Sequence, residues 1–179
     1  MTALRPVNVP TDGYGQRMAR TRAVVVVILA AASLGGWWLG RSDRGAQSQS
    51  AFVVKAVDGD TIDVRIGNDT DIVRLLGIDT PETHHPTKPV QCFGPEASAY
   101  TKSRLEGQTV TLEDDVEPRD IYGRRLAYVS IDGHRFNDEL LEKGYARLLV
   151  IPPNGSHART MLAEELQAKR AGVGLWGAC

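Results

Sequence analysis

The chain has 179 residues, 42% of them apolar and 24% charged, with 21 basic against 22 acidic side chains. This composition excludes collagen-like, disordered and disulfide-dense classes, and a net charge of −1 argues against the basic surface usual in nucleic-acid binders. The average conceals a division: residues 1–50 hold six arginines and two aspartates, which leaves residues 51–179 with 15 basic and 20 acidic groups, net −5.

Residues 1–22 read as a basic cytoplasmic segment. The run at 23–40 is uncharged, and its seventeen residues from Ala23 to Leu39 reach the lower length for a membrane-spanning helix. Four arginines precede it, so the positive-inside rule keeps the N-terminus in the cytoplasm and sends the rest across the membrane. Ala30, Ala31 and Ala32 leave a cleaved signal peptide open as the alternative. Either way the domain is expected outside the cytoplasmic membrane. Residues 41–50, rich in serine, glutamine and glycine, read as a flexible tether, and 51–179 as one domain with a single core.

Strands are predicted at 51–58, 60–66 and 71–78, separated by Asp-Gly and Gly67-Asn68 turn signals, which suggests a meander. A helix is predicted at 94–107, with Pro95 in its first turn and Gly107 as its stop. Further strands are predicted at 109–114 and 125–131. A short helix is expected from Asn137, as its cap, to Lys143, and a last one over 156–171 with an apolar stripe of Ala158, Met161, Leu162, Leu166 and Ala168. Five short strands with about three inserted helices fit a small closed β-barrel, because the connections are too short for parallel crossovers. Cys92 and Cys179 permit a disulfide in an exported chain; two free thiols are the alternative.

The chemistry concentrates in Asp58-Gly59-Asp60-Thr61, in the segment from Val73 to Thr83, and in Asp120-Ile121-Tyr122-Gly123-Arg124. Arg74 stands inside an apolar strand, where a guanidinium needs a carboxylate or a phosphate partner. Asp60 and Asp79 end adjacent strand segments, so antiparallel pairing can bring both carboxylates to one barrel rim. Oxygen donors there suit Ca²⁺ or Mg²⁺ better than zinc. Glu82, stiffened by Pro81, is one carboxylate more than a metal needs and suggests a base for activating water.

These motifs resemble the staphylococcal (micrococcal) nuclease, or thermonuclease, family. The resemblance rests on the Asp-Gly-Asp-Thr turn, Arg-Leu-Leu-Gly-Ile-Asp-Thr-Pro-Glu-Thr, Gly94-Pro95-Glu96-Ala97, the Asp-x-Tyr-Gly-Arg turn, Leu126-Ala127-Tyr128 and a last helix leading to Leu175-Trp176. It implies an OB-type five-stranded barrel and calcium-dependent hydrolysis of DNA and RNA, single strands favoured, leaving 3′-phosphates. It implies Asp60, Asp79 and the Thr80 carbonyl as Ca²⁺ ligands, Glu82 as the group acting on water, Arg74 and Arg124 as clamps on the phosphoryl oxygens, and Tyr122 beside a terminal phosphate. Lys88 is a candidate phosphate contact.

Two departures stand out. Leu148 to Pro152 lack the tyrosines that line the family's base pocket, and Ile121 replaces a basic residue. His84-His85 reads as a solvated loop, since nothing nearby completes a metal site. Glu113, Asp114, Asp115 and Glu117 read as a solvated strand end, with a second cation site as the alternative. No protein partner is predicted, and the chain is expected to be a monomer. A catalytically silent OB-type nucleic-acid-binding or envelope interaction module is the rival function; it would have no reason to keep both the extra carboxylate and the second arginine.

Overall fold

The computed structural model describes residues 48–83 and 89–179. Strands β1 (Ser48–Asp58), β2 (Thr61–Ile66) and β3 (Asp69–Leu75) form an antiparallel meander. Two-residue turns at Gly59-Asp60 and Gly67-Asn68 join them. A short β4 (Ile78–Asp79), helix α1 (Gly94–Leu105) and strands β5 (Thr109–Arg119) and β6 (Arg125–Ile131) follow. β5 pairs with the other edge of β1, and β6 with β5. The barrel closes where β6 lies parallel to β3, with Val73 opposite Arg125, Arg74 opposite Leu126 and Leu75 opposite Ala127. This is the five-stranded barrel expected of the strand pattern.

β7 (His134–Arg135), α2 (Phe136–Glu142), β8 (Arg147–Leu148), α3 (Ala158–Ala171) and a single turn α4 (Leu175–Ala178) complete the domain. Alternation along the strands sends Val53, Ile62, Val64, Val73, Leu75, Leu112 and Val129 inward, and α1 to α3 close the core with Leu105, Phe136, Leu140, Leu141 and Met161. Each such side chain contributes roughly 1.5–3 kcal/mol by leaving water. Cys92 and Cys179 are bonded across 87 residues, Cα to Cα 6.0 Å. On the chain-entropy model that cross-link contributes about 4–5 kcal/mol.

The structure corrects several details. Ser48–Ser50, assigned to the tether, extend β1 and pair with Thr111–Glu113, and Gln49 accepts from Arg125. The pairing is through backbone groups, which an exposed polar sequence does not reveal. The strand predicted at 71–78 breaks at Leu76-Gly77: Gly77 takes φ 74°, and the Met161 side chain lies where a β-carbon would stand. Asn137 does not cap its helix, which starts at Phe136. It is fully buried, accepts from the Val129 N–H at 2.8 Å and donates to the Leu76 carbonyl at 2.8 Å, so it bolts β6 to the turn after β3.

α3 buries Met161, Glu165 and Ala168, while Leu162 and Leu166 are exposed; Glu165 is retained inside because it accepts from the Leu148 N–H and pairs with Lys169. The acidic run on β5 is a solvated strand end only at the exposed Glu117; Glu113, Asp114 and Asp115 are half-buried and engaged. Asp114 pairs with Arg125, Glu113 contacts His157, and Asp115 accepts from the N–H groups of Gly155 and Ser156 and from the Ser156 hydroxyl. Glu113 and Asp115 thereby latch the loop that enters α3, while Asp114 ties β5 to β6.

The apolar run at 23–39, the pair His84-His85 and Lys88 lie outside the described residues. Among the described residues no helix is long and apolar enough to cross a membrane.

Glu164 supplies a pH-dependent element. Burial, then the charges of Asp138 and Glu142, push its carboxyl up to about 7 against the pull of Arg135. The folded chain therefore holds this proton more tightly than the unfolded chain, whose value is near 4.5. The associated stability is present below that value and is lost as pH rises through about 7. Glu164→Gln is expected to raise the melting temperature by about 3 °C at pH 8 and to leave it unchanged at pH 4. Thermal melts at the two pH values check this, and a shift of equal size at both would refute it.

Candidate active site

Asp60 occupies the second turn position between β1 and β2, and its side chain is 12% exposed. Gly59 is required here because a β-carbon would stand 2.7 Å from the Thr80 hydroxyl oxygen. From α1, the buried Thr101 hydroxyl donates to the Gly59 carbonyl at 2.7 Å and braces the turn. Asp60 Oδ2 accepts from the Thr80 N–H at 3.1 Å, which draws the segment after β4 onto the turn.

Arg74 joins both carboxylates. Its Nη2 lies 3.1 Å from Asp60 Oδ2 and 3.3 Å from Asp79 Oδ1, and its Nη1 donates to the Leu75 and Ile78 carbonyls at 3.0 Å each. The guanidinium thus holds the bend between β3 and β4 while its charge stands between two carboxylates. Burial pushes the Asp79 carboxyl up, with Asp60 and Glu82 adding to it and Arg74 and Arg147 opposing. Arg147 is its register partner across β4 and β8.

Glu82 and Arg124 meet the same space. Both line a cavity of about 790 Å³ together with Asp58, Asp60, Arg74, Asp79, Thr80 and Lys55. Barrel closure explains the meeting: the β3–β6 register sets Arg74 opposite Leu126, two residues beyond Arg124. Arg124 is oriented by Asp120, Nε to Oδ2 2.7 Å, and lies 5.6 Å from the Tyr122 ring centroid. Burial raises the Asp120 carboxyl, but the Arg124 side chain and N–H outweigh it and hold the group below its ordinary value. Tyr122 and Ile121 are 78% and 92% exposed at the tip of this turn.

The motif-based site omitted Asp58. Its Oδ1 accepts from the Gly59 N–H at 2.8 Å and the Thr83 hydroxyl at 2.9 Å. Burial pushes its carboxyl up; contact with Glu82 and the charge of Asp60 act the same way. The signal was present in Asp-Gly-Asp, where the first aspartate reads as a turn former.

Among the described residues no group of three or more His, Cys, Asp or Glu is arranged to hold a metal ion. What the site offers a cation is hard oxygen: two carboxylates converging on one positive nitrogen, and a buried Thr80 hydroxyl oxygen without a hydrogen-bond partner. That donor chemistry fits Ca²⁺ or Mg²⁺ and lacks the sulfur or imidazole zinc would take.

A second cavity, about 400 Å³, adjoins the first through Arg74 and Arg124 and is lined by Leu76, Ile121, Tyr122, Leu126, Leu149 and Ile151. Its loop is anchored by the buried Asn154, which exchanges two hydrogen bonds with the Glu117 backbone. The lone aromatic among the residues lining it is Tyr122.

A sequence-family model described as staphylococcal nuclease homologue matches residues 72–178. The chain is 39% identical over 136 residues to a thermonuclease of Staphylococcus intermedius, covering 76% of this chain and 81% of the other. It is 35% identical over 154 residues to a thermonuclease of Staphylococcus hyicus, covering 86% and 91%. Endonuclease YncB of Bacillus subtilis matches at 40% over 124 residues, 68% and 59% of the two chains. Together with the closed barrel and its rim of carboxylates and guanidiniums, these matches establish that the chain belongs to the staphylococcal nuclease family and is a hydrolase of the nuclease class.

Proposed function

We propose that the chain is a calcium-dependent phosphodiesterase that hydrolyses DNA and RNA outside the cytoplasmic membrane and leaves 3′-phosphates. The observation that carries this reading is the presence of two guanidiniums, two paired carboxylates and Glu82 in one cavity.

Arg74 and Arg124 bind the non-bridging oxygens of the scissile phosphate, where their forked donors match the planar oxygen pair. Both are held by carboxylates beforehand, which fixes their direction; Arg74, whose Nη groups are engaged by two carbonyls, Asp60 and Asp79 in the free protein, exchanges part of these bonds for the phosphate. Glu82 takes the proton of the attacking water, whose oxygen bonds to phosphorus as the P–O5′ bond breaks, and the phosphate stays on the 3′ side. Asp60, Asp79 and the Thr80 carbonyl would hold Ca²⁺, which when bound neutralises charge on the phosphoryl group. Tyr122 supplies the stacking face missing from residues 148–152. The disulfide supports an oxidising compartment, in line with export by the 23–39 segment.

The full chain is expected to cleave denatured DNA in calcium and to stop when EGTA exceeds calcium. Activity persisting in EGTA would defeat the calcium assignment, and products whose 3′ ends a polymerase extends without prior phosphatase treatment would defeat the assigned polarity.

A further inference from the structure

Gln91, which holds the Glu82 backbone in place, lies outside the motifs that define the site. Glu82 is fixed through its peptide groups by Gln91: the Glu82 N–H donates to Gln91 Oε1 at 3.1 Å, and the Gln91 N–H donates to the Glu82 carbonyl at 2.9 Å. With Pro81 restricting the residue before, these two bonds set the direction in which the Glu82 side chain leaves the backbone. Gly94, at the start of α1, packs tightly on the same segment, since a β-carbon there would meet the Pro81 and Glu82 carbonyls at 3.0 Å.

Gln91 is itself held from the far end of the chain. Its neighbour Cys92 is bonded to Cys179. The C-terminal turn that carries Cys179 is seated firmly: Leu175 is buried and its N–H donates to the Gly144 carbonyl at 2.8 Å. Trp176 lies against Lys169 and Arg147, 4.3 and 5.5 Å from its ring centroid. On the other side Phe93 stacks on Tyr145, centroids 5.4 Å apart. The turn anchored by Leu175, the disulfide, Gln91 and then Glu82 form a continuous path of covalent and hydrogen bonds.

We infer that Gln91 is a positioning residue for Glu82, and that the Cys92–Cys179 bond keeps Gln91 in register, so that the disulfide serves turnover as well as stability. This rests on the reading of Glu82 as the group that takes the proton from water. A displacement of about 1 Å at a reacting group can cost up to about 10²-fold, whereas substrate held by Arg74 and Arg124 is bound much as before. The signature is therefore a loss in kcat with KM preserved.

The test measures kcat and KM on denatured DNA with calcium, and melting temperature, for the full chain and four variants. Gln91→Leu, which keeps the disulfide and removes the acceptor, is expected to lose about tenfold in kcat with KM within about twofold. Gln91→Glu restores an acceptor oxygen and is expected to recover most of that loss. Cys92→Ser/Cys179→Ser, assayed well below its own melting temperature, is expected to show the same kcat-selective loss; if it does not fold, Gln91→Leu decides. Parental kcat in Gln91→Leu, or a loss that Gln91→Glu fails to recover, overturns the inference. Glu82→Gln separates the two levels: if inactive beside a fully active Gln91→Leu, the inference alone fails, and if itself fully active, the reading of Glu82 fails and takes the inference with it.

Discussion

Arg74→Gln is expected to slow phosphodiester hydrolysis by at least about 10²-fold and to destabilise the fold at the same time. The two effects share one cause. Arg74 is a donor to the phosphoryl oxygens in the proposed mechanism, and in the free protein it satisfies two carbonyls and two carboxylates. Breaking a fully buried ion pair costs about 3–5 kcal/mol. Here the side chains of Arg74 and Asp60 are 15% and 12% exposed but that of Asp79 is 57%, so a loss of roughly 2–3 kcal/mol is expected. Calcium should restore part of this stability in Arg74→Gln, because a cation between Asp60 and Asp79 replaces the missing charge. Arg74→Lys keeps the charge without the fork and should recover stability better than rate. Single-turnover hydrolysis and calcium-dependent melting measure the two effects separately. A parental rate in Arg74→Gln would remove the residue from the phosphate-binding role.

Glu82→Gln is expected to lower kcat by about 10²–10⁴-fold, the range for losing a positioned general base, with little change in KM. The amide keeps the size of the side chain and cannot accept the water proton. Because Glu82 is only half-buried and is tied through its peptide to Gln91, the fold should tolerate the change, with a melting temperature close to that of the parent. Glu82→Asp retains the base but shortens its reach and is expected to fall between the two. If Glu82→Gln turns over denatured DNA as fast as the parent, the proton acceptor must be sought elsewhere on the rim, and Asp58 is the group that shares its surroundings.

Much of this was legible before any coordinates. Turn residues and alternation marked the five barrel strands, and Arg74, as a charge in an apolar strand, announced a buried partner. Other features were not legible because their cause is remote in sequence. Asp58 and Asp115 read as turn and surface acids; each is engaged by partners 25 to 41 residues away. Asn137 read as a helix cap, since capping is the local use of asparagine, whereas its partners lie on β6 and in the turn after β3. Leu162 and Leu166 matched an apolar stripe, but the position of α3 on the barrel chose Met161, Glu165 and Ala168 for the interior.

Sequence alone determined the strands, the turns and the kinds of group available for catalysis, because those follow from periodicity, backbone preference and side-chain chemistry within a few residues. Only the tertiary structure decided that these groups share one cavity, since that depends on the parallel closure of β3 on β6 and on the Thr80 N–H donating to Asp60 across 20 residues. Both are contacts whose free energy comes from chain segments that local pattern cannot relate. The net charge of −1 illustrates the difference: it is a sum, whereas the proposed mechanism depends on Arg74 and Arg124 standing where Asp60, Asp79 and Glu82 also stand.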